Sequence, residues 1–275
     1  MPSNFDFSGL FIFEMANNHQ GSVEHGVRII REMAQIARQY GIKAGVKFQY
    51  RHLDTFIHPD FRHDTKAKHI SRFLSTEMTP DQFKTMVEAC REEGLVTICT
   101  PFDERSVDQI VEHGIEIIKV ASCSADDWPL LTKIVKTDKP IIASTGGLVL
   151  QQIDNLVSFL EHRNRNFAIL HCVGIYPSPN DVLHLKFIKK LKARYPNVTI
   201  GYSGHEAPDN TEVAQLAVAM GAEIFERHVG VPTETITLNN YSMNPAQVAQ
   251  WVEAYQRALV MPGEDEKVVT NAEKE

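Results

Sequence analysis

The chain has 275 residues, 43% of them hydrophobic and 23% charged, with a formal net charge of −7. That balance suits one large folded unit with a full core, and the excess of acid argues against a general nucleic-acid-binding or anionic-membrane surface. Four cysteines without a CxxC pair (Cys90, Cys99, Cys123, Cys172) read as reduced thiols. The start, MPSNFDFSGL, has no secretory pattern, and no stretch is long and apolar enough to span a bilayer. A cytoplasmic location with small-molecule partners is the expectation.

Along the chain, short apolar runs alternate with amphipathic stretches eight times. Strands are predicted at 10–15, 44–49, 96–100, 116–121, 140–144, 167–172, 198–203 and 223–228. Helices are predicted at 23–39, 80–92, 104–112, 127–137, 149–163, 183–194, 209–219 and 245–259. The strands are almost continuously apolar, as expected of a sheet covered by helices. Thr79 before Pro80-Asp81, Asp103, and Asn244 before Pro245 are N-cap signals. Eight β–α units predict an α/β fold of the (β/α)8 TIM-barrel type over residues 1–261. No GxGxxG follows the first strand, which argues against a dinucleotide fold. An insertion at 50–78, carrying His52, His58, His63 and His69, should lie over the mouth of the barrel. The polar segment 262–275 reads as a linker or frayed end.

Reactive groups of such a barrel converge at the C-terminal strand ends. Those positions hold Glu14; Lys47 and Gln49; Thr100; Lys119 and Ser122; Ser144 to Gly147; His171 and Tyr176; Ser203 and His205; and Glu226 and His228. Period-two alternation puts Glu226 and His228 on one face and Arg227 on the other, outside among helices. A lysine inside a barrel is costly unless an anion or carboxylate satisfies it. His205 and His228, on adjacent strand ends, suit a catalytic divalent metal such as manganese, with water, substrate or a carboxylate completing the sphere. For any single serine in the ring, capping of the next helix is the simpler reading.

At these residues the chain resembles the sialic acid synthase (N-acetylneuraminate synthase) family, including its spore-coat polysaccharide branch. The matching segments are EMANNHQG at 14–21, KFQ at 47–49, TPFD at 100–103, KVAS at 119–122, STGG at 144–147, HCVGIYP at 171–177, GYSGH at 201–205 and ERH at 226–228. The resemblance implies condensation of phosphoenolpyruvate with an aldose, such as an N-acetylmannosamine-like sugar, to a 2-keto-3-deoxy sugar acid and phosphate. It implies Glu14 as the catalytic group and Lys47, Thr100, Lys119, Ser122, Ser144 and Ser203 as phosphoenolpyruvate ligands. Gln49 and Tyr176 would face the sugar, and His205 and His228 would hold Mn2+, with Mg2+ or Co2+ as alternatives. A homodimer is implied as well.

Departures gather on the sugar side. Ser124, followed by Asp126 and Asp127, stands where the family carries a glutamate, and Gly174 replaces an asparagine. TETITLNNYSM, with Asn239 and Asn240, replaces a segment with a sugar-contacting aspartate, and Arg227 replaces a lysine where little effect is expected. The family's C-terminal antifreeze-like domain is not part of this chain. Two other readings compete: a Schiff-base aldolase using Lys47 or Lys119, and a non-catalytic barrel that binds phosphoenolpyruvate or metal.

Overall fold

The computed structural model describes residues 4–62, 67–261 and 269–274, apart from the Lys68 side chain. His63 of the insertion and most of the polar segment 262–275 lie outside these residues. The chain runs β1 (Leu10–Glu14), α1 (Val23–Tyr40), β2 (Lys43–Tyr50), α2 (Leu53–Phe56), α3 (Lys68–Ser75) and α4 (Pro80–Glu92). It continues through β3 (Val96–Pro101), α5 (Glu104–Glu112), β4 (Ile117–Val120), α6 (Trp128–Ile134), β5 (Ile141–Ser144) and α7 (Leu150–Glu161). The last third is β6 (Phe167–Cys172), α8 (Lys186–Arg194), β7 (Thr199–Gly204), α9 (Glu212–Ala219), β8 (Ile224–His228) and α10 (Pro245–Val260). All eight strands are parallel and close in sequence order, with β8 against β1: the (β/α)8 barrel.

Local signals set most boundaries. Thr79 and Gln82 form a capping box on α4, Asp103 caps α5, and Asn244 with Gln247 boxes α10. Where prediction and structure differ, a nearby group ends or delays the helix. The Thr137 hydroxyl donates to the Ile134 carbonyl at 2.8 Å, and α6 stops at Ile134 instead of running to 137. His184 adopts φ 48, which a right-handed helix excludes, so α8 starts at Lys186 rather than 183.

Two apolar layers hold the barrel. Outward-facing strand residues such as Phe11, Phe13, Val46 and Phe225 pack against helix residues such as Trp251. Inward-facing Leu10, Ile12, Ile98, Ile117, Ile142, Leu170 and Ile224 fill the lower lumen with Phe7. Two glycines let the strands fit this plug: a Cβ at Gly45 would lie 2.6 Å from Val96 O, and one at Gly201 would lie 2.5 Å from Ile224 O. Among the described residues, no helix is long and apolar enough to cross a membrane.

Candidate active site

With the apolar plug in the lower lumen, alternation decides which side chains stand above it. Glu14 comes next above Ile12, Lys119 above Ile117, Ser144 above Ile142, Cys172 above Leu170, and Glu226 then His228 above Ile224. The residues to which the resemblance gives roles (Glu14, Lys47, Gln49, Thr100, Lys119, Ser122, Ser144, Tyr176, Ser203, His205 and His228) line one cavity of about 420 Å3, whereas His171 does not.

At its floor is a buried charge cluster. Lys47 Nζ lies 2.6 Å from Glu14 Oε2 and 3.0 Å from Glu226 Oε2. Lys119 Nζ donates to Ser144 Oγ at 2.6 Å and lies 3.8 Å from Glu226 Oε1. The Ser203 hydroxyl donates to Glu226 Oε1 at 2.8 Å, and Ala16 N donates to Glu14 Oε1 at 2.7 Å. Ser122 Oγ accepts from Gly146 N at 2.8 Å, steadying the β5–α7 turn. None of these three serines caps a following helix, so the capping reading does not hold for them.

Environment drives the two carboxyls apart. Burial raises Glu14 above its ordinary range; Lys47 opposes this, and Glu226 adds repulsion. Burial would raise Glu226 too, but Lys119 and Lys47 outweigh it and hold it at about 2. Lys47 is driven above the usual lysine range, because Glu14 and Glu226 overcome the effect of burial. Lys119 is brought down to about 8 by burial, with Glu226 resisting and Lys47 repelling. The floor therefore holds two carboxyls whose surroundings shift them in opposite directions.

Above the floor, His205 and His228 face each other with ring centres 5.5 Å apart, and Tyr176 and Tyr241 pack around them. His205 Nδ1 lies 3.1 Å from the Val173 carbonyl oxygen, which fixes its proton there and leaves Nε2 as a lone-pair donor. Burial, aided by His228, lowers His205 to about 3; burial and Lys47 lower His228 to about 3. Both rings are thus neutral, as metal ligands must be. No group of three His, Cys, Asp or Glu side chains among the described residues closes a coordination sphere. The donor set fits a divalent cation held by two imidazoles, with its other positions open to water and substrate.

One strand-end expectation needs correction. His171 is not on the rim: its ring points outside the barrel against Phe187, with Nε2 2.8 Å from Leu183 O. It lines a larger hollow of about 860 Å3 beside α8, which meets the inner cavity only at Gly147, Cys172 and Gly174. Arg227 does face outward, yet it is fully buried, pairing with the Glu206 carboxylate and donating to Glu206 O at 2.7 Å. His52 binds Asp103 at 3.0 Å, and His58 accepts from Asp60 N at 3.3 Å. Asp127 caps α6. These residues serve local structure. The insertion does cover the mouth, bringing His69, Arg72 and Phe73 beside His228, Asn239 and Tyr241. Glu226 is legible as a strand-end residue, but spacing alone assigns it no role. Arg51, the residue after β2, and Tyr241, in the long loop between β8 and α10, escape sequence reasoning because alternation says nothing about side chains on loops.

A closed parallel barrel with buried lysines, split carboxyls and facing neutral histidines at its mouth has the layout of a barrel enzyme. The chain belongs to the NeuB family, whose profile matches residues 33–267. It is 50% identical to a Chromobacterium violaceum protein described as a putative spore coat polysaccharide biosynthesis protein E, whose solved structure superposes with a TM-score of 0.93 over 97% of this chain and 80% of that one. It is 32% identical to the N-acetylneuraminate-9-phosphate synthase of Drosophila melanogaster, over 79% of this chain and 59% of the relative. The N,N'-diacetyllegionaminic acid synthase of Campylobacter jejuni is 30% identical over 80% of this chain and 66% of its own length. Its relatives thus include sugar-acid synthases and spore-coat polysaccharide biosynthesis proteins, and they support an enzymatic role.

Proposed function

We propose that this chain condenses phosphoenolpyruvate with an aldose, yielding a 2-keto-3-deoxy sugar acid and phosphate for a surface polysaccharide. The observation that carries this reading is the meeting, in one cavity, of two buried lysines and a facing pair of neutral histidines. Lys47 and Lys119, with Thr100, Ser122, Ser144 and Ser203, would receive the phosphate and carboxylate oxygens of phosphoenolpyruvate. Glu226 serves as their counter-charge, so that neither lysine is buried unpaired before substrate arrives. His205 and His228 would hold the divalent metal, Mn2+ first with Mg2+ or Co2+ as alternatives, which when bound polarises the aldehyde as a Lewis acid.

Gln49 and Tyr176 would orient the open-chain sugar so that its aldehyde carbon meets the enol carbon of phosphoenolpyruvate. One C–C bond forms there, and water supplies the keto oxygen as phosphate departs. Glu14, with its raised carboxyl, would hold or move the proton at these oxygens.

The test is phosphate release from phosphoenolpyruvate with manganese across a panel of N-acetylated and plain aldoses, with and without chelator. Chelator-sensitive release that requires one sugar is expected; no release with any sugar would overturn the reading. A second reading draws on Lys119, whose amine, at about 8, is a better nucleophile than an ordinary lysine. Chelator-insensitive trapping of a substrate adduct by borohydride would establish that Schiff-base chemistry instead.

A further inference from the structure

The two histidines that face each other across the cavity are joined a second time, on the outer side of the barrel wall. Glu206 follows His205 directly, and Arg227 directly precedes His228. These two neighbours form an ion pair in which each residue is 1% exposed. One Arg227 NH2 group pairs with Glu206 Oε1, the other donates to the Glu206 main-chain oxygen at 2.7 Å, and the Tyr202 hydroxyl donates to Glu206 Oε2 at 2.9 Å. Both carboxylate oxygens and the carbonyl of the residue after His205 are therefore fixed to β7 and β8.

The wall has room for this pair because of a glycine. Gly204 stands opposite Arg227 in the β7–β8 register. A Cβ there would lie 2.5 Å from Glu206 Oε2 and 2.7 Å from Tyr202 Cε1, so any side chain would take the space that the carboxylate fills. His205 has two further ties: its Nδ1 lies 3.1 Å from Val173 O, and its carbonyl accepts from Ser178 N at 2.9 Å. Those lead to the β6–α8 loop. The Glu206–Arg227 pair leads instead to the strand that carries His228. A cation with only two protein ligands gains most when their separation is set before it arrives, since binding then need not order them.

We propose that Glu206 and Arg227 are positioning residues for a divalent cation at His205 and His228, setting the separation of the two imidazoles from outside the wall, with Tyr202 holding the carboxylate in place. The inference rests on the reading of these histidines as metal ligands and is independent of the condensation chemistry. Neither Glu206 nor Arg227 lines the cavity, so neither touches cation or substrate.

The experiment titrates the full chain with Mn2+ by calorimetry, and measures metal-free phosphoenolpyruvate binding and denaturant unfolding for each variant. Glu206→Gln keeps the shape of the side chain and removes its charge; it is expected to weaken Mn2+ about tenfold or more. Arg227→Lys keeps the charge but cannot hold the carboxylate and the carbonyl together, and should weaken Mn2+ by less. Tyr202→Phe deletes one hydroxyl and keeps the ring, so it reports on the pair even if Glu206→Gln fails to fold. Combined with Glu206→Gln, it should weaken Mn2+ by less than the product of the single effects, because both act through one carboxylate. Phosphoenolpyruvate affinity should stay unchanged throughout. Thr79→Ala, which removes the cap of α4, should cost stability and leave Mn2+ affinity at the parent value.

Lost stability with unchanged Mn2+ affinity in the three single variants would overturn the inference and leave the pair a structural one. An equal loss of Mn2+ affinity in Thr79→Ala would overturn it too, since the effect would then follow general destabilisation. Absence of Mn2+ binding by the parent would overturn it together with the metal assignment. Mn2+ affinity that depends on the pair, with no phosphate release from phosphoenolpyruvate with any aldose, would keep the inference and overturn the condensation reading.

Discussion

Lys119 sits where three demands meet: it is buried, it donates to Ser144, and it shares Glu226 with Lys47. Burial prevails and brings its amine to about 8, so the cation is present below that pH and lost above it. An anionic substrate needs the cation. Affinity for phosphoenolpyruvate should therefore be constant below about pH 8 and fall by roughly tenfold per pH unit above it, as each unit costs one more factor of ten in protonation. Titration calorimetry between pH 7 and 10 checks this. Lys119→Met should bind weakly with no such break, and a break that persists in that variant would assign it to another group. The lysine itself was readable in the sequence as a strand-end residue. Its lowered basicity was not, since that depends on neighbours 25 and more positions away.

At the scale of elements, β8 shows both what alternation can predict and where it stops. It placed Glu226 and His228 inward and Arg227 outward, as observed. It could not show that Arg227 would meet Glu206, buried in the loop after β7, with the Tyr202 hydroxyl donating to the same carboxylate at 2.9 Å. The sequence expectation concerned only the exchange of lysine for Arg227; the pair with Glu206 gives position 227 a role in stability. Arg227→Met leaves a buried carboxylate with a single hydroxyl partner and should cost about 3–5 kcal/mol, whereas Arg227→Lys should cost less. Denaturant unfolding with a linear extrapolation measures both; equal stability of Arg227→Met and the parent would show that the pair is not held as described. The helices were legible to within a few residues because their caps are local. The mouth insertion was legible as a cover, but its helix α3 and the stacking of Arg51 between Phe73 and Phe102 depend on contacts from three separate segments.

For the molecule as a whole, closing eight strands requires the lower lumen to be filled without being overfilled. Gly201 marks the limit, for an added methyl would meet Ile224 O at 2.5 Å and Ile224 Cβ at 2.6 Å. Gly201→Ala should therefore destabilise the barrel by about 1–3 kcal/mol and lower the melting temperature by several degrees. It should also reduce activity through Ser203, two positions along the same strand. Thermal unfolding of the variant is the check, and an unchanged melting temperature would mean the strands can spread to admit the methyl.

The sequence by itself determined the eight-fold alternation, the caps, the apolar lower lumen and the identity of the polar groups above it. Each of these depends on spacing of a few residues or on the chemistry of one side chain. Only the tertiary structure decided which partner each charge takes: Glu14 with Lys47, Glu226 between Lys47 and Lys119, and Arg227 with Glu206. Those pairings join strands and loops distant in the chain, and electrostatic energy depends on separation and burial in space, which local spacing does not encode.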